Sequence, residues 1–170
     1  MATGGLAFWV AAVRECFEEA GFLLAYDADG SHLALDDPVV AARFAAHRWA
    51  VASGERPLAD VCAEERLQLA VDGMHYVSRW ITPEGPPRRF DTRFFVCTAP
   101  TQQTPLHDAR ETIAHEWVRP ADALTRNAEG DVDLMVPTLE SLRWLAESDD
   151  VAGVLQSAAT AHRPGRYQRG

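Results

Sequence analysis

The sequence predicts a mixed fold of the α/β (α+β) class, carried by a single domain over residues 1–160. Three observations lead there. Apolar residues recur at helical spacing near both ends of the chain. Two runs rich in β-branched and aromatic residues, joined by a Pro- and Gly-rich turn, occupy the middle. A length of 170 residues with 47 % hydrophobic and 24 % charged residues suits one soluble core.

The elements follow in order. Residues 7–20 read as a helix, with Phe8, Ala11, Ala12 and Cys16 on one face and Gly21 as its left-handed cap. Phe22, Leu23 and Leu24 then read as a short buried strand. Asp37 and Pro38 are a cap and first-turn pair that opens a second helix, stopping near Gly54. Pro57 opens a third, through about Leu69. Residues 36–70 thus form a helical insertion. Strands at 74–82 and 89–98 make a hairpin around PEGPPR, and ETIAHEWV (111–118) is one more strand. Short helices start at Pro120, at Pro137 and after Asp149-Asp150. The tail 161–170 is basic and expected to be frayed.

Charge and composition narrow the function classes. A net charge of −9, from 16 basic and 25 acidic residues, argues against a nucleic-acid surface. It suits recruitment of divalent cations, and solubility alone explains it equally well. No uncharged apolar run is long enough to cross a membrane. Cys16, Cys62 and Cys97 show no C-x-x-C spacing and read as buried thiols of a reducing compartment. With no basic-then-apolar segment at the N-terminus, a cytoplasmic protein is expected.

The chemistry concentrates in AAVRECFEEAGFLL. Positions three and four apart share a helix face, so Glu15, Glu18 and Glu19 offer carboxylates to one patch. Arg14 precedes Glu18 by one turn, a pair worth only ~0.3–0.5 kcal/mol when exposed, which leaves negative charge in excess. Hard oxygen ligands of this kind select magnesium. A solvated acidic face is the plain alternative.

Arg14-Glu15-Cys16-Phe17-Glu18-Glu19-Ala20-Gly21-Phe22 resembles the frame R-E-U-x-E-E-x-G-U (U, a bulky aliphatic), the C-terminal half of the signature of the Nudix hydrolases. Every charged position and the glycine match, with Cys16 and Phe22 where aliphatics are usual. The resemblance implies a Nudix-like α/β/α sandwich with a mixed sheet, a loop-helix-loop that binds Mg2+ or Mn2+, and cleavage of a nucleoside diphosphate linked to another group. It implies Glu18 and Glu19 as main metal ligands, Glu15 as a further ligand or the base, and Arg14 as the group that orients them. Leu6 stands where the full signature has its first glutamate, and the signature's glycine would fall before Met1. The expectation is an N-terminally incomplete domain lacking the strands before this helix, or an insertion ahead of it. An inactive fragment or non-catalytic binding module is the reading that follows if the domain is broken.

AFWVAAVRECFEEAGFLLA, RRFDTRFFVCTAP and HDARETIAHEWVRPADAL together look like the peroxisomal coenzyme A diphosphatase-like branch and its bacterial relatives. That likeness implies CoA or acyl-CoA as substrate, with 3′,5′-ADP and (acyl-)phosphopantetheine as products. ADP-ribose, NADH or a nucleotide sugar is the alternative. The final YQRG is not a peroxisomal address. In such enzymes a downstream glutamate often joins the site, for which Glu111 is the first choice and Glu116 the second. Arg93 is a candidate phosphate ligand, weighed against a surface pair with Asp91. Trp49, Trp80, Trp117 and Trp144 read as core anchors. His107 and His115 lack the convergent spacing of a zinc site.

Overall fold

The structure, a computed structural model, describes residues 5–85, 87–105 and 116–160. These group into two compact units: the first holds residues 5–74 and 98–105, the second 75–97 and 116–160.

The first unit begins with α1 (Gly5–Glu15), which widens at its end into a π-helical turn, Cys16–Ala20. Gly21 closes it at φ 77°, where a Cβ would be strained, and its N–H reaches Phe17 O at 3.2 Å. The buried face of this helix is Val13 and Phe17, one turn apart. The expected face is displaced: Phe8 is 40 % exposed and Cys16 only half-buried. Apolar residues surround α1, so periodicity alone does not select a side, and the packing of neighbouring elements does.

Phe22, Leu23 and Leu24 are buried as expected, but pairing starts later, at β1 (Ala25–Tyr26). The side chain of Gln103 takes the place of a neighbouring strand. Its Oε1 accepts Leu23 N–H at 2.9 Å, and its Nε2 donates to Leu23 O at 3.0 Å and Leu33 O at 2.9 Å. A buried backbone must find such partners.

The helical insertion forms as two helices. Asp37 Oδ1 accepts Val39 N–H and Val40 N–H at 2.8 and 3.0 Å, capping α2 (Pro38–Ala52) with Pro38 in its first turn. Phe44, His47 and Val51 are its buried side, and Trp49, on the other side, is 55 % exposed rather than a core anchor. α3 (Leu58–Glu64) is shorter than expected. Arg66 adopts φ 54°, and Leu67 N–H bonds back to Cys62 O at 2.8 Å, a tight helix ending. The chain thereby turns into β2 (Gln68–Leu69), antiparallel to β1.

In the second unit, β3 (His75–Ile81) and β4 (Asp91–Val96) form the expected hairpin, with a bulge between Tyr76 and Ser78. Helices α4 (Pro120–Glu129), α5 (Val136–Leu145) and α6 (Val151–Thr160) follow. Asp150 caps the last, accepting Gly153 N–H at 2.8 Å. Trp117 is 72 % exposed, again no anchor. Of the expected strand at 111–118, residues 111–115 lie outside the described residues and 116–118 belong to no strand. The α+β class stands, with strand pairs that are all antiparallel among the described residues.

Candidate active site

Arg14 and Glu15 end the regular part of α1, and the π-helical turn that follows carries Glu18 and Glu19. One terminal nitrogen of Arg14 donates to both carboxylate oxygens of Glu18, at 2.6 and 2.8 Å, and the other pairs with Glu15. Charge-assisted bonds of this kind are stronger than neutral ones. The Glu18 bond is the main reason the Arg14 pKa lies above its ordinary value; burial opposes the shift and Glu15 adds to it. The cation is shared, so neither carboxylate has a guanidinium to itself. Glu15 is 51 % exposed and Glu18 15 % at the side chain, so the group is reachable from water.

The sequence reading missed the second cation of this site. Arg48, from α2, donates to Glu18 O through Nε (3.0 Å) and a terminal nitrogen (2.8 Å), and to Glu19 O at 2.9 Å. These bonds go to backbone oxygens. No local pattern marks Arg48, because 29 residues separate it from Glu19. The partly exposed carboxylate oxygens of Glu15 and Glu18 are hard donors of the kind a divalent cation takes.

A second group of acidic residues is different. His47, Glu64 and Glu65 bring one ligand atom each within 4.8 Å of one another. Here each glutamate has its own arginine: Arg43 Nε lies 2.8 Å from Glu65, and Arg56 pairs with Glu64. His47 Nε2 is 3.0 Å from Glu65 Oε1, and Arg56 is 3.4 Å from His47 Nδ1. The cluster ties α2 to α3. Burial pushes the Glu65 carboxyl up, but hydrogen bonds from His47 and Arg43 outweigh it and leave the pKa below its ordinary value.

The other expected site residues fall elsewhere. Glu111 lies outside the described residues. Glu116, in the second unit, gives both carboxylate oxygens to Arg126 at 2.9 and 2.8 Å, an exposed ion pair. Arg93, on β4, stands 3.7 Å from Asp91, whose close partner is Arg79 at 2.6 Å. Cys62 and Cys97, expected as buried thiols, are half-buried, and that burial raises their thiol pKa values.

A carboxylate-bearing helix closed by a left-handed glycine, on an α+β scaffold, is the arrangement of the Nudix hydrolases. A crystal structure of a Nudix hydrolase from Alicyclobacillus acidocaldarius superposes with a TM-score of 0.76 at 25 % identity, covering 92 % of this chain and 68 % of that one. Residues 2–145 match the NUDT19 Nudix domain, and the chain belongs to that family. Among curated relatives, acyl-coenzyme A diphosphatase NUDT19 of Homo sapiens is 33 % identical over 150 residues, covering 83 % of this chain and 39 % of that protein. The protein of the same name from Gallus gallus is 32 % identical over 154 residues, covering 82 % and 40 %. The chain thus spans about two fifths of the length of these relatives. No helix among the described residues is long and apolar enough to cross a membrane.

Proposed function

We propose that this chain carries the catalytic centre of a divalent-metal-dependent hydrolase acting on CoA or acyl-CoA. The products are 3′,5′-ADP and (acyl-)phosphopantetheine. One observation carries the reading: Arg14 pairs both with Glu15, at the end of α1, and with Glu18, on the turn that also bears Glu19. The substrate class is supported by the name of the relatives, acyl-coenzyme A diphosphatase.

Glu18 and Glu19 hold the ion, Mg2+ or Mn2+, which their hard oxygen donors suit. When bound, such an ion neutralises charge on diphosphate oxygens and renders water nucleophilic. Glu15 is a further ligand or takes the proton from the attacking water, and its exposure lets that proton leave to solvent. Arg14 keeps the carboxylates of Glu15 and Glu18 from swinging apart under their own repulsion. Hydrolysis adds the water oxygen to one phosphorus and breaks its bond to the bridging oxygen, which departs with the other phosphate. Glu111 is the first choice for a downstream glutamate joining the site, and Glu116, which pairs with Arg126, the second.

Chromatography of digests of CoA, acyl-CoA, ADP-ribose, NADH and a nucleotide sugar, with Mg2+ present, tests the proposal. The expected result is 3′,5′-ADP from CoA species without free inorganic phosphate. Much faster turnover of ADP-ribose, NADH or a nucleotide sugar would replace the substrate while keeping the chemistry.

A further inference from the structure

We propose that Arg48 is a positioning residue for the metal-binding turn, so that the helical insertion helps to set the metal affinity of the site. The inference rests on the reading of Glu18 and Glu19 as ligands.

A helix leaves its last carbonyls without intrahelical partners. At the end of this one, the Phe17 carbonyl is taken by Gly21 N–H, and those of Glu18 and Glu19 by Arg48. The planar guanidinium spans two adjacent carbonyls in a way a lysine ammonium does not. Its positive charge also sits at the negative end of the helix. The two residues capped are the pair that bears the proposed ligands. They lie on a π-helical turn, a geometry rare in proteins and frequent at functional sites. Such a turn gains little from intrinsic propensity, so its shape depends on outside contacts.

The helix that carries Arg48 is braced against α3. The neighbouring His47 is buried and bonded to Glu65, and Arg43, on the same helix, bonds to Glu65 as well. The α2–α3 pair therefore presents Arg48 from a braced element. Outer partners of metal ligands typically change affinity or activity by about 10–100-fold when removed, and a cap holding two ligand backbones falls in that class.

The test is Mn2+ titration followed by electron paramagnetic resonance, which reads free Mn2+ without any substrate. It is run on the 170-residue chain and on Arg48→Met, Arg48→Lys and Glu18→Gln. Thermal unfolding by circular dichroism accompanies each. The expected result is a Mn2+ Kd weakened about 10–100-fold in Arg48→Met, with Arg48→Lys intermediate and unfolding still cooperative in both. Where turnover is measurable, kcat falls while KM for the nucleotide holds. A Kd within about twofold of the parent in either Arg48 variant overturns the proposal, twofold being well short of the range expected for an outer partner. So does weakened binding that comes only with loss of cooperative unfolding, which makes Arg48 a purely structural cap. Glu18→Gln separates the two readings. If it loses Mn2+ while Arg48→Met keeps it, only the Arg48 proposal falls. If Glu18→Gln binds as the parent does, the ligand assignment itself falls.

Discussion

Arg14 and Glu18, one helical turn apart, are joined by two hydrogen bonds from a single guanidinium nitrogen, at 2.6 and 2.8 Å. The same guanidinium also pairs with Glu15. A single cation thus sets the positions of two carboxylates whose charges would otherwise drive them apart. The arrangement makes Arg14 more than a surface partner, since an isolated exposed pair is worth little.

Loss of a ligand charge is expected to cost more than loss of its orienting cation. Glu18→Gln and Glu19→Gln should each lower kcat by about a hundredfold or more at saturating Mg2+, equivalent to ~3 kcal/mol of barrier. Arg14→Ala should cost about tenfold, in the range of an outer partner. Steady-state kinetics over a Mg2+ series checks the order. Near-parental kcat in both glutamine variants refutes their role as ligands.

Gln103 is a buried amide whose oxygen and nitrogen are spent on the backbone of Leu23 and Leu33. Truncation in Gln103→Ala strands those groups, each at roughly 1–3 kcal/mol if water does not reach them. A loss of at least ~2 kcal/mol in urea unfolding is expected on that basis. A change below ~0.5 kcal/mol, the usual range for an innocuous surface substitution, would show that the amide is dispensable.

Glu65 gives the fold an acid limb. Its folded pKa lies below the ordinary 4.5, so above that value it is ionised in both folded and unfolded chains and its contribution is fully present. As pH falls below about 4.5 the unfolded chain takes up the proton first, and the contribution is lost as pH passes the folded value. Urea midpoints of the parent and Glu65→Gln should differ at pH 7 and converge on acidification through this window. A gap that stays constant from neutral to acid pH would rule out the linkage.

Asp37 caps α2 through two backbone N–H groups. Asp37→Ala should cost about 1 kcal/mol, or roughly 2–4 °C in Tm for a chain of this size. Asp37→Asn, which keeps the accepting oxygen, should recover most of it. Differential scanning calorimetry of the pair decides, and equal losses in both would show that the cap bond is not the cause.

Sequence alone determined the pieces governed by local chemistry. The Arg14-to-Gly21 frame, the Asp37-Pro38 helix start, the hairpin of β3 and β4 and the starts of α4 and α5 each depend on residues within a few positions of one another. Sequence separation hid the rest. Which face of α1 is buried was decided by what packs against it, since apolar residues lie all round. The ending of α3 at Arg66 depends on a backbone conformation that no residue type there announces. Gln103 bonds to residue 23 across 80 positions, and Arg48 caps Glu18 across 30. Polar side chains such as these look solvated in a linear reading. Only tertiary structure brings them to buried carbonyls and N–H groups, where leaving a partner unmade costs more than making one gains.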